Sequence, residues 1–224
     1  VGKKKLIRFA ENRTFSHLFQ YSFEELKSGF ALKGRWHEDY FHNENPIALE
    51  LGCGKGEYTV HMAMKYPHRN FIGVDIKGAR LWRGCKTVEE NKLKNVAFIR
   101  TRIQLINTFF DRNEIEEIWL TFPDPQPRKS KEKKRLTSPE FLDRYREILD
   151  KNGIIHLKTD NVGLYSYTMD LIGNEGHTLI FHEPDLYNSD YEGDASTIKT
   201  FYERIFLEQG KTIKYLQFQL KDDQ

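Results

Sequence analysis

A chain of 224 residues with 38% hydrophobic side chains suits one globular domain of ordinary size with, at most, a small appendage. Its 35 Lys+Arg against 33 Asp+Glu leave a formal charge of +2, so the totals alone do not call for nucleic acid, and any basic surface has to come from uneven placement. Two cysteines, Cys53 and Cys85, show no CxxC or Cys/His ligand spacing, which excludes a disulfide scaffold and a thiolate metal site and predicts two free thiols in a reducing cytosol.

The opening VGKKKLIRFAENR is basic without the apolar stretch of a signal peptide. No later run approaches the roughly 18 apolar residues of a membrane span, so a cytoplasmic protein with no membrane or metal partner is expected. Residues 1–45 are aromatic and charged with no lasting period, and they predict an arm or partial cover rather than the sheet itself; Lys3, Lys4, Lys5 and Arg8 read as a flexible basic tail. From Pro46 strands and helices alternate over residues 46–224. IALELG precedes a helix from Glu57 to Lys65, NFIGVD precedes ARLWRGCKTVEENKL, and NVAFIR precedes a short helix near Gln104 to Phe109. IEEIWLTF, a loop and the helix SPEFLDRYREILD follow, then GIIHLKTD, the helical GLYSYTMDLIG, HTLIFHE, a polar loop, a helix around Ile198 to Leu207, and TIKYLQFQL. Strands spaced by helical segments predict an α/β fold: a doubly wound, mostly parallel sheet of about seven strands with helices on both faces and one antiparallel edge strand near the end.

In such a sheet ligands sit beyond the carboxyl ends of the strands. The first of those ends reads Glu50-Leu-Gly52-Cys-Gly54-Lys-Gly56, and Asp75 closes the next strand. A nicotinamide site needs a third glycine where Glu57 stands, and Glu50 would repel a pyrophosphate. S-adenosylmethionine makes the opposite demand. It carries a sulfonium and an ammonium but no phosphate, so a carboxylate beside the turn attracts it, glycines let the backbone approach it, and Asp75 can accept from both ribose hydroxyls. The bland alternative is a tight strand-to-helix turn followed by a solvated acid; the strand–loop–helix context and the spaced acid favour the cofactor.

The fourth of these strands, IEEIWLTF, runs into TFPDPQPRKSKEKKR. Prolines 123, 125 and 127 fix φ around Asp124, and six basic residues follow between Arg128 and Arg135. IWLTFPDPQP resembles the strand-end signature of the tRNA (guanine-N7)-methyltransferase family, and ELGCGKGEY, FIGVDIKGA, KKRLT, HLKTDN, DLYNSDYEG and TFYE recur in that family in the same order. The resemblance covers Pro46 to the C-terminus. It implies a Rossmann-like class I methyltransferase fold, S-adenosylmethionine as methyl donor, and methyl transfer to N7 of a guanine in the variable loop of tRNA, by a monomer or homodimer. Carried over, the family's cofactor contacts fall on Glu50, Asp75, Arg102 and Asp124, beside Gly52, Gly54 and Gly56. Its substrate contacts fall on Arg128, Asp160, Thr200, Phe201, Tyr202 and Glu203. At Arg102 the family usually has an acid or amide for the adenine amino group, and an arginine has no acceptor; either backbone reads the adenine or Arg102 points away.

The chemistry of the base agrees. N7 attacks through a free lone pair and loses no proton, so positioning matters more than a strong base. A rigid carboxylate, Asp124 or Asp160, can bind guanine N1–H and N2–H and offset the charge that develops as the methyl arrives, which makes Asp124 the catalytic candidate. The cations at 128–135 suit the phosphates of a polyanion, although an isolated charged run would read as a solvated loop. His61, His156 and His177 read as structural, Trp82 and Trp119 as core or core edge, and Tyr187 and Tyr191 as either packing or stacking on a base. Two rivals remain: an exocyclic-amine methyltransferase, whose strand end would carry an aromatic at Gln126, and an inactive RNA-binding module on a methyltransferase fold.

Overall fold

A computed structural model describes residues 3–221, and side chains from Lys5 onward. In chain order the elements are α1 (Lys3–Glu11), β1 (Leu18–Phe19), α2 (Phe23–Leu26), β2 (Ile47–Leu51), α3 (Glu57–Lys65), β3 (Asn70–Asp75), α4 (Gly78–Asn91) and β4 (Val96–Arg100). The second half supplies β5 (Ile115–Thr121), α5 (Pro139–Ile148), β6 (Leu149–Thr159), α6 (Val162–Glu175), β7 (Thr178–Glu183), α7 (Asp194–Thr197), α8 (Phe201–Glu208) and β8 (Lys214–Gln219). The short helix expected near Gln104 is a 3-10 turn, Ile103–Thr108, and the helix expected from Ile198 is split, with Thr200 capping its second part.

The eight strands lie in the order β1-β4-β3-β2-β5-β6-β8-β7. The chain builds outward from β2 through β3 and β4, then returns to place β5 on the other side of β2. Between β2 and β5, therefore, the strand order reverses, which is where an open α/β sheet leaves a crevice for ligands. All pairings are parallel except those of β8, which runs antiparallel to both β6 and β7. The antiparallel strand thus lies one place inside the edge. Its residues Tyr215, Leu216 and Phe218 are fully buried, whereas β7, at the rim, alternates exposed and half-buried; a strand with apolar side chains on both faces needs cover that a rim position lacks.

Period-two alternation sorts the strand residues into two cores. Leu49, Leu51, Ile72, Val74, Ile118, Leu120, Ile155 and Leu157 face α5, α6 and the aromatic segment around Trp36. Ala48, Phe71, Phe98 and Trp119 face α3, α4 and the region after β7. Glu50, Thr121, His156 and Lys158 have the parity of that second face.

The first 45 residues do more than cover. Trp36 is fully enclosed, donates from Nε1 to the Phe109 carbonyl at 2.9 Å and lies among Phe19, Phe30, Tyr40 and Phe110. The sheet itself is extended by β1, whose two residues pair with Phe98 and Ile99; the sequence hid this because two residues show no period. The supposed basic tail is helix α1, packed on α4. There the Arg8 guanidinium lies 4.6 Å from the centre of the Trp82 ring, whose indole N–H is taken by Glu11; the side chains of Lys3 and Lys4 lie outside the described residues. Cys53 and Cys85 are buried free thiols.

Phe98 fills a slot made by missing side chains. An added Cβ would come within 2.5 Å of its ring at Gly56, 2.6 Å at Gly73 and 2.7 Å at Gly84. In a helix interior, Gly→Ala ordinarily stabilises by about 1 kcal/mol. At Gly84 a methyl would also meet the Lys55 carbonyl at 2.8 Å. Gly84→Ala is therefore expected to destabilise by about 1–3 kcal/mol through overpacking; urea unfolding that shows equal or higher stability would refute the slot.

Candidate active site

The glycine turn after β2 is held from behind and open in front. Gly52, Gly54 and Gly56 have φ of 81°, 59° and 69°, which favour glycine. The amides of Gly52 and Cys53 donate to the Val74 carbonyl at 2.8 and 3.0 Å. Nothing lies within 4 Å of the point where a Cβ would stand on Gly52 or Gly54, so a ligand can lie directly on that backbone.

Glu50 is 5% exposed and points towards α3. One carboxylate oxygen accepts from both the amide and the hydroxyl of Thr59; the other accepts from the Thr121 hydroxyl at 2.6 Å. It thereby ties the turn to α3 and to the end of β5. Burial pushes its pKa up to about 7, against the lowering effect of these three hydrogen bonds and with a further push from Asp75. Asp75, 8% exposed, accepts from the Gly54 amide at 3.0 Å and the Lys77 amide at 2.7 Å, which fixes its carboxylate at the mouth of the turn.

A cavity of about 190 Å³ opens there, lined by Gly52, Asp75, Arg102, Gln104, Lys134 and Phe141 among others. It continues past Ile76 and Arg102 into a groove of about 700 Å³ beneath Tyr21 and Phe23. Another cavity, of about 420 Å³, lies beside Arg112 and Gly153 at the amino ends of β5 and β6, away from every carboxylate singled out above. Arg102 is exposed at the lip of the smaller cavity; two residues on, Gln104 brings to it the carbonyl acceptor that an arginine lacks. The sequence reading passed over Gln104, although an amide in the short turn after β4 was a usable signal.

Beyond β5 the backbone is strained on both sides of Asp124: Phe122 has φ 50° and Gln126 φ 44°. The Phe122 amide donates to the Lys158 carbonyl at 2.8 Å. Asp124 is exposed and accepts from the Gln126 amide at 3.1 Å. Of the six cations that follow, Arg128, Lys129, Lys131, Lys133 and Lys134 are exposed. Arg135 turns inward instead, with its guanidinium 4.2 Å from the centre of the Tyr167 ring and within reach of Glu132 and the Gln126 carbonyl. It anchors the loop and leaves five residues for the rim.

In the last segment Glu203 is enclosed. Both Glu203 and Lys158 are 0% exposed and form an ion pair at 2.6 Å. Lys158 also donates to the Ile198 carbonyl at 3.1 Å, and Glu203 accepts from the Tyr187 hydroxyl at 2.6 Å. Burial lowers the pKa of Lys158, which Glu203 opposes. Glu203 thereby fastens α8 and the Tyr187 loop to β6. The Thr200 hydroxyl caps α8 by accepting from the Glu203 amide at 3.3 Å. Phe201 and Tyr202, each 44% exposed, stand outside, with the Phe201 amide bonded to Glu57 at 2.9 Å and Lys55 lying 4.0 Å from the centre of the Phe201 ring. Asp160 is half-buried and salt-bridged to Lys211 at 2.7 Å. Tyr187 and Tyr191 both pack inward, the latter on Phe181 and Tyr215. His156 stacks on Trp119 with centroids 3.7 Å apart, and burial lowers its pKa to about 3, so it is neutral and structural.

Among the described residues no group of three or more His, Cys, Asp or Glu is placed to hold a metal ion, and no helix is long and apolar enough to cross a membrane.

Residues 44–216 match the family described as "Putative methyltransferase". The chain is 52% identical over 222 residues to a tRNA (guanine-N(7)-)-methyltransferase of Christiangramia forsetii, covering 98% of this chain and 99% of that one. It is 48% identical to the protein of the same name from Bacteroides fragilis, covering 100% of this chain and 88% of the relative. Among solved structures the 16S rRNA methyltransferase KamB superposes with a TM-score of 0.61 at 13% identity over 89% of this chain and 93% of its own, a likeness of fold.

The raised pKa of Glu50 has a sign that can be measured. Against an ordinary value of 4.5 and a folded value of about 7, the native state keeps a proton that the unfolded state releases. The group's contribution to stability is therefore full below about pH 4.5 and is lost as pH rises through about 7, at up to about 1.4 kcal/mol per pH unit. Glu50→Gln keeps the hydrogen-bonding shape without the titration, so its urea-unfolding stability is expected to gain on the wild type between pH 5 and pH 8. Parallel profiles would refute the shift.

Proposed function

The chain belongs to the tRNA (guanine-N(7)-)-methyltransferase family and moves a methyl group from S-adenosylmethionine to N7 of a guanine in tRNA, and from that premise we propose how its strand ends divide the work. The open backbone at Gly52 and Gly54, with fixed carboxylates behind it and the cation of the turn, Lys55, drawn over the Phe201 ring at 4.0 Å, suits a cationic nucleoside. When bound, S-adenosylmethionine supplies an electrophilic methyl group on a sulfonium. Asp75 holds the ribose hydroxyls. Gln104, rather than Arg102, accepts from the adenine amino group. Glu50 is a positioning residue: enclosed by Thr59 and Thr121, it acts through the turn that it clamps.

Guanine is the nucleophile and gives up no proton at N7, so the protein's task is to hold the base and to balance the positive charge that it gains. Two carboxylates are within the architecture's reach, and their surroundings separate them. Asp160 is neutralised by Lys211, whereas Asp124 is exposed, bonded only to the Gln126 amide among the described residues, and framed by prolines and two left-handed residues. That freedom of a rigid carboxylate is the single observation that carries the assignment: Asp124 binds the N1–H and N2–H edge and stabilises the developing cation. The adjacent Arg128 and the lysines of the rim receive the phosphates, and Phe201 and Tyr202 offer rings to a base. The target guanine is taken from a loop or tertiary region, since a stacked A-form helix buries the N7 edge in a groove too narrow for side chains, and the family resemblance implies the variable loop. Two buried free thiols support a cytoplasmic setting.

Unmodified tRNA incubated with the protein and S-adenosylmethionine is expected to yield N7-methylguanosine, identified by nucleoside mass and alkaline lability; a methyl on an exocyclic amine, or none, would overturn the reading. Asp124→Asn keeps size and frame but loses the charge, and is expected to cost about 100- to 1000-fold in rate with tRNA binding retained. A wild-type rate would remove Asp124 from catalysis.

For the cofactor, Gln104→Leu is expected to weaken S-adenosylmethionine binding by about 1–2 kcal/mol, a lost hydrogen bond, while Arg102→Leu changes it little. Calorimetry showing the reverse order would return the adenine to Arg102.

A further inference from the structure

We infer that the cleft between α3 and the start of α8 is a second phosphate-binding site for the tRNA, on the opposite face of the sheet from the loop at 128–135. The inference rests on tRNA being the substrate. The cleft measures about 470 Å³ and is lined by His61, Lys65, Thr197, Ile198, Lys199 and Arg204, with no carboxylate among them. Of the acids beside it, Asp194 is already bonded to Lys65 at 2.7 Å and to the Tyr66 hydroxyl at 2.9 Å, and Glu57 accepts from the Phe201 amide at 2.9 Å. Lys199 and Arg204 have no carboxylate partner among the described residues. Lys199 lies 4.2 Å from the centre of the Tyr187 ring, and Arg204 donates to the Lys199 carbonyl at 3.3 Å; both side chains are exposed. Two uncompensated cations held against a pocket wall make a site for an anion with several acceptor oxygens, which is the chemistry of a phosphodiester.

The position fits a strand of RNA. The Phe201 amide is bonded to Glu57, the first residue of α3, so the cleft lies on the flank of the same glycine turn that carries the cofactor cavity. On that flank stands the core that contains Tyr58, Val60 and Ile198; the loop at 128–135 leads instead into α5, whose Phe141, Leu142 and Tyr145 belong to the core on the other face. A backbone crossing the carboxyl edge of the sheet, with its target base turned down towards Asp124, would set phosphates on both sides. Cations on one face alone would leave the chain free to pivot about the base.

The test is direct binding of unmodified tRNA to Lys199→Ala/Arg204→Ala, with Lys65 left in place because it is paired. The dissociation constant should rise about tenfold at physiological salt, and the slope of log K against log salt should be shallower than wild type by roughly 1–2. S-adenosylmethionine affinity should be unchanged, and the loss in turnover should fall on KM for tRNA. Combining this variant with neutral Lys131, Lys133 and Lys134 should add the two effects in log K, as expected of separate contacts. The charge-conserving exchange Lys199→Arg/Arg204→Lys should bind within about twofold of wild type, since phosphate contacts depend mainly on charge. Unchanged affinity and slope in the alanine variant would overturn the site, and so would an equal loss in the charge-conserving variant, which would mark a structural effect. Because binding is read without product, these outcomes are distinct from a failure to form N7-methylguanosine, which would sink the functional reading itself.

Discussion

One ring holds the site in place. Phe98 projects from β4 into space left by Gly56 in the turn, Gly73 in β3 and Gly84 in α4, and no side chain at any of the three could share it. The contact is dispersion and exclusion of water rather than a hydrogen bond, yet it sets the height of the glycine turn above the sheet and the distance of α4 from it. Because the turn is filled from below, Gly52 and Gly54 are free above. Because β3 is drawn close, Asp75 meets the Gly54 amide at 3.0 Å. The slot also reaches the sheet's edge: β1 pairs with Phe98 itself, so the N-terminal segment closes over the same residue from the other side.

Around that anchor the two faces of the sheet do different work. The face towards α5 and α6 is almost wholly apolar at the strand residues, and it can be, since nothing on it must be oriented. The other face holds Glu50, Thr121, His156, Lys158 and Glu203. The carboxylates and the lysine there reach across elements: Glu50 links β2, α3 and β5, and Lys158 links β6 to α8 and to the carbonyl of Ile198. Replacing such pairs with apolar residues is often neutral or stabilising, so their net contribution to stability need not be large. What they provide is direction. A hydrophobic contact would let α8 slide on β6, whereas an ion pair with two further hydrogen bonds fixes where Phe201 and Tyr202 emerge.

How much of this was legible in the sequence follows from period and range. The strands from Ile47 to Thr159 were readable because buried parallel strands are dense apolar runs, and the glycine turn and Asp75 were readable because conformation and spacing are local. β1 was not, being two residues set by pairing alone. The place of β8 was not either, because antiparallel direction says nothing about whether a strand closes the sheet or fills a gap in it. Glu203 illustrates the same limit in the site. Its motif, TFYE, is also the pattern of a helix cap, and only the enclosed Lys158 forty-five residues earlier decides that its carboxylate turns inward. Arg135 reads as one more cation of the rim until Tyr167, on α6, takes its guanidinium. In both cases a distant partner fixed the side chain, and no local rule could have supplied it.

A formal charge of +2 looks poorly matched to a polyanion, and burial resolves the mismatch. Field at the surface depends on which charges water and substrate can see. On the glycine-turn side the acids are recessed, at 5% exposure for Glu50, 8% for Asp75 and 0% for Glu203, and the last is already neutralised by Lys158. The cations stand outside, at Arg128, Lys129, Lys131, Lys133 and Lys134 and at Lys199 and Arg204. With a screening length of about 8 Å at physiological salt, phosphates approaching from solvent respond chiefly to the outer layer. Asp124 is the exposed exception, an anion set where the rim begins. Its own repulsion of the backbone is small against several cations, and in the proposed assignment a base that has lost the cover of its neighbours meets there a rigid acceptor suited to its donor edge. Affinity for the nucleic acid and chemistry on the base are thus assigned to charges of opposite sign at different depths, which a protein of nearly balanced composition can maintain only by folding one set inward.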